Sequence, residues 1–222
     1  MKFTGRITAI SLILFFHTLY IIYYIYRDGY ADILDWLGYP VFFIISYWAG
    51  LQYDKAKFYS EKDELTNIYN RRFVVNTFDK ITSLADRTNS KLFVLMIDCD
   101  NFKNINDVYD HQTGDLILNC IGKILVENTR KSDIVARWGG DEFLVIGQYK
   151  DEPGLQIVLQ RLESDLLSLA QKMQISVSVS IGFAIYWDDH RQLPELIKIA
   201  DQRMYDDKTQ KKDDAAKFTV TL

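Results

Sequence analysis

Arg137-Trp138-Gly139-Gly140-Asp141-Glu142-Phe143 places two glycines and two adjacent acids in a tight turn between apolar runs. The flanking segments, Asp133–Trp138 and Phe143–Gly147, read as paired strands, and Gly-Gly is a two-residue hairpin signal because both positions tolerate positive φ. Glycines leave the backbone bare, so a nucleotide can lie against it, while Asp141 and Glu142 stand at the rim where a cation bridges carboxylates to phosphates. The chemistry indicated is polyphosphate binding; an acidic hairpin tip is the competing reading of this stretch taken alone. Upstream, Lys91–Ile97 is a continuous apolar run ending in Asp98-Cys99-Asp100, the pattern of a buried strand emptying into a site at its carboxyl end. Carboxylates at i and i+2 point to one side of an extended segment, so Asp98 and Asp100 both reach a cation, or one does while the other orders the loop. Hard oxygen donors of this kind suit magnesium, which takes one or two carboxylates plus substrate phosphates. No zinc site is implied: His17 and Cys120 lack ligand-spaced partners, and Cys99 offers a metal only its backbone carbonyl.

The elements that must position these residues read as strand 91–98, helix near 113–130, hairpin 134–147, helix 154–172, strand 175–186, helix 194–207 and strand 216–221. Further motifs accompany them in order: Asp63-Glu64-Leu65-Thr66 with Asn70-Arg71-Arg72; Asp98-x-Asp100-x-Phe102-Lys103-x-Ile105-Asn106-Asp107 with His111 and Gly114-Asp115; Ser180-Ile181-Gly182; and Ala200-Asp201 with Met204-Tyr205 and Lys208. With Gly139–Phe143 these make the chain resemble the GGDEF family of diguanylate cyclases from Asp63 to about Asp213. The resemblance implies an α/β fold of the palm-like, nucleotidyl-cyclase type, with a central, mostly antiparallel sheet.

It also implies roles. Asp98, the Cys99 carbonyl, Asp141 and Glu142 match the family's metal cluster, for magnesium or alternatively manganese, and Asp141 matches the acceptor of the ribose 3′-hydroxyl proton, with Glu142 beside it as the second catalytic acid. In phosphoryl transfer, positioning and charge neutralisation supply most of the acceleration. Phe102 and Lys103 match positions whose backbone amides face phosphates, and His111 a substrate contact. Asn106 and Asp115 match the pair that reads the guanine edge, where a carboxylate accepts from N1–H and the exocyclic amine. Lys208 and Lys212 match basic positions over the triphosphate. Plainer readings stand beside these. Asn106, Asp107 and Asp110 also suit a turn between helices; Lys208 and Lys212 lie in a charge run typical of a solvated helix end; Met204 and Tyr205 follow Leu196, Ile197 and Ala200 at core spacing; Ser180–Gly182 suits packing around a strand glycine.

The chain departs from the family at several points. Asn67 and Asp110 stand where glycines are usual, the first a mild change because Asn tolerates left-handed backbone, the second a carboxylate beside the guanine pocket. The final Ala-Lys-x-x-Gly-Arg is here Asp207-Lys208-Thr209-Gln210-Lys211-Lys212, so bidentate phosphate contact by an arginine is lost. These changes predict weaker substrate binding and leave every metal ligand in place. Arg130-Lys131-Ser132-Asp133 ends at the family's spacing for an R-x-x-D inhibitory site that binds the product, with Arg130 forking onto phosphate and Asp133 accepting from guanine.

The first fifty or so residues are different material. Ile7–Tyr26 and Trp36–Tyr53 contain no Asp, Glu, Lys or Arg, and segments of that length span roughly 30 Å of hydrocarbon. Fifteen of the chain's 31 aromatic residues fall in residues 1–53, with Tyr20, Tyr23, Tyr24, Tyr26 and Trp36 near the expected interfaces. Residues 1–53 therefore read as a two-helix transmembrane hairpin, 54–66 as a juxtamembrane helical linker and 67–222 as the GGDEF domain, its motif beginning at 63. Phe58 and Leu65, seven residues apart, offer one seam for a dimer of linkers. The net charge of −4 lies wholly on the cytoplasmic part and includes no basic surface for nucleic acid, and the two cysteines imply no disulfide framework.

The combined expectation is a membrane-anchored diguanylate cyclase that joins two GTP molecules into cyclic di-GMP and releases pyrophosphate. It acts as a homodimer because each domain holds one GTP, contacts lipid, and is inhibited by its product. A catalytically inactive receptor for cyclic di-GMP is the main alternative, against which an intact Gly139–Phe143 argues; an enzyme making mixed cyclic dinucleotides is another, against which Asp115 argues. Lys2 and Arg6 precede the first span, Lys55 and Lys57 follow the second, and the connector Arg27–Asp35 holds one Arg and three Asp, so both termini should be cytoplasmic at the inner or plasma membrane. A reporter fused after Leu222 should accordingly report from the cytosol, and a cysteine placed at Gly29 should react with impermeant reagents from outside. Outside accessibility of the carboxyl terminus would overturn the orientation.

Overall fold

The computed structural model describes residues 3–220, with side chains described from Phe3 to Lys211. Two units divide the chain, Met1–Glu61 and Lys62–Leu222.

The first unit is a hairpin of α1 (Thr4–Asp28) and α2 (Ile33–Glu61). Both are long and apolar enough to cross a membrane by length and composition, and only 11% of the apolar window of either is buried within the protein. α1 ends on Gly29, whose left-handed φ of 83° lets its N–H reach the Ile25 carbonyl at 3.0 Å. The helices are tied at one end by a buried carboxylate: Asp54 accepts from the Gly5 amide at 2.7 Å and from Arg6 Nε at 3.0 Å. Farther along, His17 is buried beside Gly38 with its Nε2 3.0 Å from the Asp35 carbonyl. Lys2, counted above for orientation, lies outside the described residues. The linker is helical through Glu61, but Leu65 lies in the following turn and packs on the core of the second unit, so it shares no helical seam with Phe58.

The second unit comprises β1 (Tyr69–Asn70), α3 (Arg71–Arg87), β2 (Lys91–Cys99), α4 (Phe102–Val108), α5 (His111–Glu127), β3 (Ile134–Arg137), β4 (Glu142–Tyr149), α6 (Glu152–Met173), β5 (Val179–Tyr186) and α7 (Leu193–Val220). Its sheet has the order β1-β3-β4-β2-β5, antiparallel except where the short β1 runs parallel to β3. β2 is flanked on both sides and covered on both faces, which is why it reads as an unbroken apolar run. Phe93, Leu95 and Ile97 join Phe143 and Val145 in a core with Ile117, Leu118 and Ile121 of α5 and Leu155 and Leu162 of α6. Leu92, Val94 and Met96 join Leu144 and Ile146 in a second core with Val74 and Phe78 of α3 and Leu196, Ala200 and Met204 of α7. The result is a sheet sandwiched between two helical layers, as the mixed α/β expectation required. Tyr205, read as core, is instead 64% exposed.

α3 was not expected because the exposed Val75 and Leu84 blur the apolar stripe of Val74, Phe78 and Ala85. The strand expected over 216–221 is absent: α7 continues to Val220, with no Gly or Pro between Asp201 and Val220 to stop it, and Thr221 lies outside the described residues. α7 also covers the free edge of β5. Along that edge the Val179 carbonyl accepts from Lys211 (2.8 Å), the Ile181 N–H donates to Asp207 (3.0 Å), the Phe183 carbonyl accepts from Arg203 (2.7 Å) and the Ile185 N–H donates to Asp189 (2.7 Å). Two ion pairs, Lys211–Asp207 and Arg203–Asp189, thus take the place of a sixth strand.

α7 lies directly against the sheet at Gly182, where a Cβ would collide with backbone, the Ala200 carbonyl and Met204 amide. Gly182→Ala is therefore expected to destabilise the second unit by about 1–3 kcal/mol, because backbone rather than a flexible side chain must move. Denaturant unfolding followed by tryptophan fluorescence reads this directly, and a neutral effect would show that α7 is free to shift outward.

Candidate active site

Side chains at even positions of β2 face the α3 and α7 side of the sheet, so Asp98 continues the row Leu92, Val94, Met96 and meets, directly across the ladder, Glu142 at the start of β4. The apolar core ends there and an acidic cluster begins. The hairpin loop is pinned to it, for the Cys99 N–H donates to the Asp141 carbonyl at 3.1 Å. Asp98 is buried, and burial first, then the Asp141 and Asp100 charges, pushes its carboxyl above the ordinary carboxylate value even though Lys208 pairs with it. Burial also raises Glu142, reinforced by Asp98, Asp141 and Asp201 and opposed by Arg71. The Lys208 ammonium is seated on Asp98; burial pulls its pKa down, but Asp98, Asp100 and Asp141 outweigh that and raise it. The Cys99 thiol is pushed up to about 12 by burial and the same carboxylates, which leaves its carbonyl as the available donor.

Of the two readings of the Asp98–Asp100 pair, the structure supports the second. Asp100 accepts from Ser178 Oγ at 2.8 Å and Ser180 Oγ at 2.7 Å and orders the loop after β2. The loop itself differs from the expected two-residue turn. β3 ends at Arg137 and β4 begins at Glu142, so four residues separate the strands, and neither Gly139 nor Gly140 has positive φ. Gly139 is small for another reason: a Cβ there would come within 2.5 Å of Glu142 Oε2, whereas Gly140 faces open space. Arg137, which was given no role from sequence, holds this loop. Its Nη2 and Nε donate to the Gly140 carbonyl at 2.7 and 3.1 Å, and its Nη1 donates to Asp63 at 3.2 Å. Burial would raise Asp63, but hydrogen bonds from Thr66 and the Arg137 charge hold it below the ordinary value. Asn67 takes the left-handed φ of 57° for which it was judged tolerant.

Asn106 of α4 packs against Gly114 of α5, and its Oδ1 is buried with no hydrogen-bond partner among the described residues. Asp115 follows on the exposed side of α5, and His111 is exposed at that helix's start. Such an orphaned acceptor beside a free carboxylate is a place for a ligand with N–H donors. Asp110 caps α5, accepting from the Thr113 amide at 2.6 Å, which with the Thr113 hydroxyl and the Gln112 amide lowers its pKa; its φ of 173° is ordinary extended backbone, so no glycine is required. Phe102 and Lys103 open α4, with Lys103 exposed. The Lys212 side chain lies outside the described residues.

Arg130 and Asp133 line a separate cleft of about 480 Å³ at the other end of β3, a four-residue strand, from Gly139. Asp133 closes the turn there by accepting from the Arg130 amide at 2.9 Å. The cleft also contains Arg161 of α6, which sequence reasoning missed because nothing in its local pattern separates it from other exposed helix residues.

Among the described residues no three His, Cys, Asp or Glu side chains close on one point. Two carboxylates and a backbone carbonyl are nevertheless the partial donor set magnesium takes when phosphates and water complete it, and raised carboxylates crowded at one strand end call for a cation. The residues present fit that ion.

Comparison with known proteins agrees with this geometry. Residues 60–214 match the family model described as diguanylate cyclase, GGDEF domain. Diguanylate cyclase DosC of Escherichia coli is 39% identical over 147 residues, covering 64% of this chain and 32% of that protein, so the chain spans about a third of the length of this relative. Among solved structures, the GGDEF domain of TpbB (YfiN) from Pseudomonas aeruginosa superposes with a TM-score of 0.62 at 32% identity, covering 67% of this chain and 89% of that one. The GGDEF domain of DgcB from Caulobacter crescentus, solved in complex with c-di-GMP, gives a TM-score of 0.58 at 25% identity over 68% of this chain and 91% of that one. With its family motifs gathered at the ends of β2 and β4 and most of its length matched, this chain belongs to the GGDEF-domain diguanylate cyclase family.

Proposed function

We propose that the protein is a membrane-anchored diguanylate cyclase that condenses two GTP molecules into cyclic di-GMP with release of pyrophosphate. The observation carrying this reading is the cluster of Asp98, Asp141 and Glu142 facing the Lys208 ammonium at the carboxyl end of the central strand, which has the charge pattern of a phosphoryl-transfer site. Asp98, the Cys99 carbonyl, Asp141 and Glu142 are the residues that would hold magnesium, or manganese. When bound, the ion supplies charge neutralisation at the phosphates. Asp141 accepts the proton of the ribose 3′-hydroxyl as its oxygen attacks the α-phosphorus of the second GTP and pyrophosphate departs. Lys208 and Lys212 offset phosphate charge, Phe102 and Lys103 present backbone amides to the phosphates, and His111 contacts the nucleotide. Asn106 and Asp115 read the guanine edge, a role supported by the orphaned Asn106 oxygen. One domain holds one GTP, so two copies must meet for the bond to form.

Anchoring through α1 and α2, with both termini cytoplasmic, is supported by their length and apolar composition and by the charge asymmetry of their flanks. Product inhibition through Arg130 and Asp133, with Arg161 as a third contact, is supported by the cleft these residues share.

Full-length protein incubated with GTP and magnesium should yield cyclic di-GMP by mass spectrometry; its absence would overturn the reading. Asp98→Asn should lower the rate by about 100-fold or more, because it removes charge from the proposed cation cluster. In the magnesium-free protein the Asp98 and Glu142 carboxyls should titrate above the ordinary carboxylate values of 3.8 and 4.5, since burial and the neighbouring acids raise both, and added magnesium should lower them. A raised carboxyl disfavours the folded state once ionised, so Glu142→Gln should raise the unfolding midpoint at neutral pH while lowering turnover. Carboxyls with no upward shift in the magnesium-free protein, or no response to the ion, would contradict the assignment. Arg130→Ala and Arg161→Ala should each leave initial rates near wild type and raise the cyclic di-GMP concentration needed to stop the reaction about tenfold, as expected on losing a charge-assisted contact. Progress curves equally inhibited in all three proteins would remove this site.

A further inference from the structure

Asp207 and Lys211 occupy positions where the resemblance leads one to expect alanine and glycine, and both are fully engaged. The Ile181 N–H donates to Asp207 Oδ2 at 3.0 Å, and Lys211 Nζ donates to the Val179 carbonyl at 2.8 Å and to Asp207 Oδ2 at 2.7 Å. Val179 and Ile181 are i and i+2 on an edge strand, so their backbone groups face outward together, one needing a donor and the other an acceptor. One i,i+4 pair on α7 supplies both. Lys208 lies between the two clamping residues, and its ammonium rests on Asp98, two strand positions from the apolar Met96. The four-carbon stem of a lysine is flexible, so where the ammonium goes depends on how firmly its backbone is held.

We propose that Asp207 and Lys211 are positioning residues. Their clamp on Ile181 and Val179 sets the rotation and height of α7 against β5, and thereby delivers the Lys208 ammonium to the Asp98–Asp141 cluster and to the phosphates of bound GTP. The inference rests on the cyclase reading above for the identity of that ligand. It separates this pair from an ordinary helix-surface ion pair, whose effect is small, screened by salt and independent of any contact with a strand. It also gives a purpose to two departures from the family pattern: where alanine and glycine are usual, Asp207 and Lys211 make a fixed platform for Lys208.

The test measures equilibrium binding of a non-hydrolysable GTP analogue, with magnesium, to the detergent-solubilised full-length protein, alongside its unfolding midpoint. Asp207→Ala should weaken binding about fivefold, as expected for losing one hydrogen bond. Asp207→Asn keeps an acceptor for the Ile181 N–H and should bind like wild type. The exchange Asp207→Lys with Lys211→Asp restores an ion pair but offers no acceptor to Ile181, and should bind as weakly as Asp207→Ala. In a Lys208→Ala background Asp207→Ala should have no further effect, whereas a purely structural role would add its penalty in full. Wild-type affinity in Asp207→Ala, recovery in the exchanged pair, or additivity with Lys208→Ala would each overturn the inference. Failure of the wild type to bind the analogue overturns the cyclase reading and this inference with it, whereas normal wild-type binding beside an unaffected Asp207→Ala overturns this inference alone.

Discussion

The carboxylates crowded where β2 ends and β4 begins are the constraint to which the surrounding structure answers. Asp98 and Glu142 are cross-strand partners, and Asp141 and Asp201 add to the field that raises the Glu142 carboxyl. Like charges facing each other across a ladder destabilise a sheet, and burial at the end of an apolar core makes the cost larger. The arrangement persists because the sheet is held elsewhere. Leu92 to Ile97 are buried on both faces, and the cluster begins only after that core has closed. An unfavourable local arrangement supported by a strong scaffold is what the proposed cation site requires.

Compensation comes from three directions. Lys208 of α7 brings an ammonium to Asp98, and Arg71 at the start of α3 lowers the field at Glu142. Arg137 does something different: it carries no charge to the cluster's centre but ties the Gly140 carbonyl to Asp63, so that the loop bearing Asp141 cannot drift. Asp63 in turn is fixed by the turn it caps at Thr66. The motif just after α2 is thus bonded to the loop of the proposed active site through one guanidinium. That continuity gives the Asp63–Thr66 motif a physical purpose apart from starting the domain.

The departures from the family pattern also resolve into physical roles. Asp110 is a helix cap on extended backbone, Asn67 occupies left-handed backbone, and Asp207 with Lys211 closes the edge of β5. Each of these substitutions is accommodated by a hydrogen bond or a backbone conformation that suits the new residue, and none displaces Asp98, Asp141 or Glu142 from the cluster. In the first unit the same economy appears, since the first charged residue after the second apolar segment, Asp54, neutralises Arg6 instead of remaining a solvated linker charge.

Much of this was legible without coordinates, because it follows from short-range rules. A strand buried on both faces must be a continuous apolar run, so β2 and the acids that end it could be read from residues 91–100. Helices with period 3.6 announced α5 and α6, and charge-free stretches announced α1 and α2. What the sequence by itself could not decide were partnerships across distance. That Asp100 would turn to Ser178 and Ser180 while Asp98 met Glu142 depends on which strands flank β2. That Arg161 would share a cleft with Arg130 depends on α6 packing beside the β3 turn. That α7 would run to Val220, and that Asp207 and Lys211 would serve a strand edge, depends on which edge is left open when the sheet closes. Local patterns determine which residues are extended, helical or buried; only the assembled sheet decides which polar groups are left in need of a partner, and so which charged side chains answer them.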